Sequence, residues 1–195
     1  IGLGIPAEPL FRSRSIAVAI ASHLTLDKNG VITYQKVVEM AGRNKNDLFA
    51  TARHWATMNF NGSDCDVRMI DKESGCIIVQ GYVNNVAENI GWINEYNVRI
   101  RPVLKIEVKD GKIRLSVTQS SYDVRREQSA GLFREHKVVD EHWDIKSCYP
   151  FVEYDDHPKT SAKALVMTHL CASLYIKRAE EALRHSATQE QNERS

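Results

Sequence analysis

The sequence predicts an α+β domain in which an antiparallel sheet carries helices on one face. Three observations point there. Leu48, Ala52, Trp55 and Ala56, extended by Phe49 and Phe60, recur at helical spacing. From Tyr96 to Val108 apolar and polar residues alternate, and Asp110-Gly111 is a two-residue hairpin signal. A second helical stripe follows near the end, through Leu165, His169, Ala172, Ile176, Ala179 and Leu183.

In chain order, residues 1–30 read as an N-terminal arm or extra strand. Gly2, Gly4, Pro6 and Pro9 punctuate its start, and the apolar run 16–26 fits a strand or a short helix equally. Asp27-Lys28-Asn29-Gly30 is a turn. Val31 to Met40 alternates as a strand and ends at Gly42. Asn44 or Asn46 can cap the next helix, and Asp47 suits its positive end. Val67–Ile70 and Cys76–Val83 form a hairpin around Asp71-Lys72-Glu73-Ser74-Gly75. Gly81 inside its second strand signals a bulge or a close backbone approach. Asn84–Glu95 reads as a loop.

The Asp110-Gly111 turn sets a register. Val108 should face Ile113, Ile106 face Leu115, and Leu104 face Val117. On the other side Lys109 should face Lys112, and Glu107 face Arg114. Pro102 cannot donate to a ladder, so it needs an edge or a bulge. Residues 123–158 are a charged insertion with a strand near Lys137–Ile145. Thr160 or Ser161 opens a helix to about Ser186, and 187–195 form a polar tail. Residues 31–186 are thus expected to make one domain.

The bulk numbers exclude more than they identify. A chain of 195 residues can bury a core without metal or disulfide staples. A net charge of +1 gives no whole-molecule attraction to polyanions, so a nucleic-acid partner is not expected. No apolar run reaches the roughly 20 residues of a membrane-spanning helix. The chain opens on Ile1, which implies that its true start is missing and leaves room for a removed signal peptide. Cys65, Cys76, Cys148 and Cys171 form no CxxC pair, which argues against a zinc site. Four separate, mostly buried thiols are the ordinary reading.

Three groups could carry chemistry. Arg99, Arg101, Lys105, Lys109, Lys112 and Arg114 lie on the polar side of the long hairpin, with Tyr122 beyond. The binding candidates are Arg99, Arg101, Lys105, Arg114 and Tyr122, weighed against an ordinary solvated sheet face. The run from Glu135 and His136 to Asp144 is the second group, and in it Asp140, His142 and Asp144 point one way if 137–145 is a strand. They would spread over roughly 13 Å, so they could not converge on one ion unaided. His169 lies on an apolar helical stripe and reads as a core histidine. No nucleophile elbow or metalloprotease motif is present.

The sequence also carries a resemblance. Val37-Val38-Glu39-Met40 leads through Gly42 and Asn44-Lys45-Asn46-Asp47-Leu48 into a helix ending Trp55-Ala56-Thr57-Met58-Asn59-Phe60. Ile70-Asp71-Lys72-Glu73-Ser74-Gly75-Cys76-Ile77-Ile78-Val79-Gln80-Gly81 follows. This resembles a bacterial domain-of-unknown-function family with a TATA-binding-protein-like fold, over about residues 31–122. The resemblance implies the order strand, helix, four strands, helix. It also implies an extracytoplasmic location, in the periplasm or anchored to the outer membrane, and a protein or other envelope component as partner. It supplies no catalytic residue, cofactor or metal. The expected function is a non-enzymatic interaction module. The alternatives are a helix-grip-like carrier of a small apolar ligand and, third, a metal-dependent or hydrolytic enzyme.

Overall fold

The computed structural model describes residues 8–24, 26–62, 65–90, 94–128, 137–148 and 158–193. Residues 1–7 of the expected arm lie outside these. The chain packs as two compact units where one domain is expected from sequence. Both are discontinuous. One comprises residues 33–82, 101–119 and 171–195, and the other residues 1–32, 83–100 and 120–170.

The first unit holds a five-stranded sheet. Its strands are β1 (Ile32–Glu39, from Thr33 onward), β2 (Cys65–Asp71), β3 (Cys76–Gly81), β6 (Val103–Lys109) and β7 (Lys112–Gln119). Their spatial order is β1-β7-β6-β3-β2. Helix α2 (Lys45–Asn59) and residues 171–193 of helix α4 (Pro158–Glu193) complete it. Within this unit the chain order is strand, helix, four strands, helix, as the resemblance implies. The Asp110-Gly111 register is met at all five anticipated pairs, from Lys109↔Lys112 to Leu104↔Val117. Met40 N donates to Gly111 O at 2.7 Å and Gln35 Nε2 donates to Ser116 Oγ at 3.3 Å, so β1 runs antiparallel to β7.

The core of this unit lies between one face of the sheet and the helices. Leu48, Phe49, Ala52 and Ala56 of α2 and Ala172, Ala179 and Leu183 of α4 pack on Ile77, Val79, Leu104, Ile106, Ile113 and Leu115. Each large side chain buried there contributes about 1.5–3 kcal/mol. Asn44 caps α2, its side-chain oxygen accepting from Asp47 N at 2.9 Å. Asp110 Oδ1 accepts from Lys45 N at 2.6 Å, which satisfies a second free amide of the same helix. Gly81 shows a close approach. A Cβ there would lie 2.6 Å from the Tyr175 hydroxyl.

The rims of the sheet are β1 and β2. In β2 the register slips between Val67 and Met69, so Arg68 is bulged out of the ladder. Strand β1 carries exposed residues at Gln35, Lys36, Val37 and Glu39.

The second unit holds a four-stranded sheet of order β4-β5-β8-β9. Its strands are β4 (Val83–Ile90), β5 (Asn94–Ile100), β8 (Ser121–Gln128) and β9 (Lys137–Asp144). Helices α1 (Glu8–His23) and α3 (Ile145–Cys148) and the start of α4 belong to it. Val98, Ile100, Tyr122, Val124, Ile145 and Leu165 are fully buried here.

Most departures from expectation lie in this unit. Residues 8–23 are helical, so of the two readings of 16–26 the helix holds, and the expected arm or extra strand does not. Pro9 sits in the first turn, where its missing N–H costs nothing, and Ala17 and Ala21 share one buried stripe. The expected loop 84–95 is largely strand, since β4 pairs with β5 despite a register shift between Val83 and Ala87. Asn85 has φ 54°, which interrupts the alternation a strand would show in sequence. The expected continuous strand 96–109 breaks at Pro102 into β5 and β6, which belong to different sheets. The insertion 123–158 contributes the end of β8, then β9 as anticipated, and α3. Helix α4 runs on to Glu193, through most of the expected polar tail.

Candidate binding surface

The face of the five-stranded sheet opposite α2 carries its polar side chains. Alternation places Lys105, Glu107 and Lys109 of β6 beside Lys112 and Arg114 of β7 and beside Cys76, Ile78 and Gln80 of β3. Glu107 is the hub. Its Oε2 accepts from Arg114 Nε at 2.8 Å and lies 2.7 Å from Arg114 Nη2, while its Oε1 lies 3.0 Å from Lys105 Nζ. The Arg114 bond first, with the Lys105 bond and both charges behind it, holds the Glu107 carboxyl below its usual range. The same bond raises Arg114. Cys76 lies opposite Glu107 in the ladder and is buried, which pushes its thiol up.

Toward β2 a second row forms. Arg68, freed by the bulge, donates from Nε and Nη2 to Gln80 Oε1 at 3.0 and 2.7 Å, and from Nη2 to Tyr82 Oη at 3.1 Å. Arg101 lies over the Tyr82 ring, 5.8 Å from its centroid. At the other end Val37, Glu107, Lys109, Lys112 and Arg114 line a shallow hollow of about 170 Å³.

The five binding candidates are thus not one group. Arg101, Lys105 and Arg114 share this surface. Arg99 is exposed in the second unit, across from Asp123 in the ladder. Tyr122 is fully buried in that unit's core, because it alternates with Asp123 on the apolar side of β8. It offers no stacking face to a ligand. Sequence reasoning missed Arg68, Gln80 and Tyr82, since a bulge at Arg68 has no signature in the apolar pattern.

The remaining candidates are resolved individually. His142 is exposed, with Nδ1 3.2 Å from Asp123 Oδ1 and Nε2 3.8 Å from Asp144 Oδ1. Asp140 sits across from Arg125. Glu135 and His136 lie outside the described residues. Among the described residues no three His, Cys, Asp or Glu side chains are grouped to hold a metal ion. His169 is half-buried on α4 between Leu165 and Ala172. The four cysteines are free thiols, and Cys76 and Cys148 are buried. No helix among the described residues is long and apolar enough to cross a membrane.

An antiparallel sheet with helices on one face, connected strand, helix, four strands, helix, defines a protein of the TATA-binding-protein-like α+β class. Residues 34–123 match the model of a family described as a domain of unknown function (DUF4468) with TBP-like fold. Two solved structures share the fold. A DUF4468 family protein from Bacteroides ovatus is 12% identical with a TM-score of 0.56, covering 82% of this chain and 90% of its own. A TBP-like protein from Parabacteroides distasonis is 15% identical with a TM-score of 0.50, covering 81% of this chain and 96% of its own. No curated protein matches the chain.

Proposed function

We propose that the protein is a non-enzymatic interaction module of the cell envelope that binds a protein partner through the face of its five-stranded sheet opposite α2 and α4. The observation that carries this is the contrast between the two faces. One is sealed by α2 and α4 over a core whose central side chains are fully buried. The other presents Arg68, Lys105 and Arg114, hydrogen-bonded to Gln80, Tyr82 and Glu107, with Arg101 over the Tyr82 ring. Such an array gives specificity by charge and shape without reactive groups. The envelope location rests on the family resemblance.

A carrier would need an enclosed apolar cavity under the C-terminal helix. In this unit that space is occupied by Ala172, Tyr175, Ile176, Ala179 and Leu183 packed on the core. The test is a pull-down from envelope extract with the native protein and an Arg101→Glu/Lys105→Glu variant. A protein partner recovered by the native chain and lost by the variant supports the reading. Recovery of a small apolar ligand with no protein partner overturns it in favour of the carrier. Cell fractionation tests the location.

A further inference from the structure

The hollow at the end of the sheet face contains a like-charge pair that forms no salt bridge among the described residues. Lys109 and Lys112 stand directly opposite each other across the Asp110-Gly111 turn. Like charges in that position repel. Among the described residues neither lysine's side chain makes an ion pair or a hydrogen bond, although carboxylates are near in sequence and space. Asp110 is taken by the Lys45 amide. Glu107 is taken by Lys105 and Arg114. Glu39, at the end of β1 on the same side as Val37, pairs with neither lysine.

We propose that this hollow receives a single carboxylate side chain of the partner protein, which bridges Lys109 and Lys112 while its methylenes rest on Val37. The inference rests on the face-binding reading above and names the partner's chemistry. Three observations narrow the occupant. The volume of about 170 Å³ falls below the roughly 300–1,000 Å³ of small-ligand sites and suits the end of one side chain. Val37 is 50% exposed and gives that side chain an apolar floor. Glu107 lies within the lining, so a polyanion whose charges sit in its backbone would carry one onto a fixed carboxylate, whereas a carboxylate at the end of a flexible side chain can reach the lysine end alone.

The test uses the full chain and a fluorescein-labelled oligoglutamate peptide, read by anisotropy at low salt. Its oligoglutamine counterpart and a single-stranded oligonucleotide are the comparison arms. Saturable oligoglutamate binding should weaken at least about tenfold in Lys109→Ala/Lys112→Ala, a loss of about 1.4 kcal/mol. It should be unchanged in Lys72→Ala, on the exposed turn before β3. Absence of oligoglutamate binding overturns the inference, as does equal binding of oligoglutamine or of the oligonucleotide. In the pull-down, carbodiimide should couple an Asp or Glu of the recovered partner to Lys109 or Lys112. A partner lost with Arg101→Glu/Lys105→Glu but kept by the double alanine variant sinks this inference and leaves the face-binding reading standing. A partner kept by both variants sinks both.

Discussion

Asp110 Oδ1 accepts a hydrogen bond from the backbone amide of Lys45 at 2.6 Å, tying the turn between β6 and β7 to the start of helix α2. Two more bonds secure the same junction, from Gly111 N to Arg43 O at 2.8 Å and from Met40 N to Gly111 O at 2.7 Å. Replacing Asp110 by Asn keeps a favourable turn, since Asn-Gly serves as well as Asp-Gly. Replacing it by Ala removes turn preference and cap together. Urea denaturation should show Asp110→Ala destabilised by about 1–2 kcal/mol and Asp110→Asn by less than half of that. Equal losses would show that the bond to Lys45 contributes nothing.

Gly81→Ala should destabilise by about 1–3 kcal/mol, because the new methyl lands 2.6 Å from the Tyr175 hydroxyl. Tyr175→Phe removes that oxygen, and the nearest remaining ring atom would be 3.3 Å away. The double variant should therefore recover part of the loss. A thermal-denaturation double-mutant cycle without favourable coupling would refute the steric account.

Leu115→Ala should cost about 2–5 kcal/mol, since Leu115 is fully buried at the centre of the five-stranded core. Tyr122→Ala should likewise unfold or weaken the chain, as expected of a core residue, and thermal melting would register it. A Tyr122→Ala protein of native stability would contradict the burial.

Acid should weaken the fold through particular carboxyls. Glu107 is lowered chiefly by Arg114, Glu180 by Lys36, whose ammonium lies 2.5 Å away, and Asp71 by Ser74. In the unfolded chain these groups titrate near pH 4. Their stabilisation is complete above that range and is lost as pH falls through their lower folded values. Glu107→Gln and Glu180→Gln should each flatten the fall in melting temperature below about pH 4.5. An unchanged acid limb in both would exclude these pairs as its source.

Thiol chemistry gives another check. Burial raises the Cys76 and Cys171 thiols, and Cys76 and Cys148 are nearly inaccessible. Under native conditions Ellman's reagent should leave Cys76 and Cys148 unmodified, and mass mapping would identify any exception. Denaturant should expose all four.

The sequence was most informative where one residue pattern and one turn specify each other. Asp110-Gly111 fixed five cross-strand pairs, and Asn44 with the Leu48–Ala56 stripe fixed α2. It was least informative where the chain changes partners. A period-2 pattern does not tell which sheet a strand joins, so Tyr96–Val108 reads as one strand although Pro102 divides it. Strand β4 hides because Asn84 and Asn85 break the alternation, and α1 hides because an Ala- and Ile-rich run fits either period. The charged surface was half legible. Glu107 opposite Arg114 follows from register, while the Arg68–Gln80–Tyr82–Arg101 row depends on a bulge. Tyr122 was assigned to the surface because its neighbours are polar, but parity with Val124 puts it inside.

The displaced Arg68 also bears on how copies of this protein meet. Growth of a filament by joining sheets requires the β1 rim of one copy to dock on the β2 rim of the next, repeated without closure. The slipped backbone at Val67–Met69 presents no regular ladder to a newcomer. The bulge at Arg68 therefore disfavours extension of the sheet by a further copy at the β2 rim.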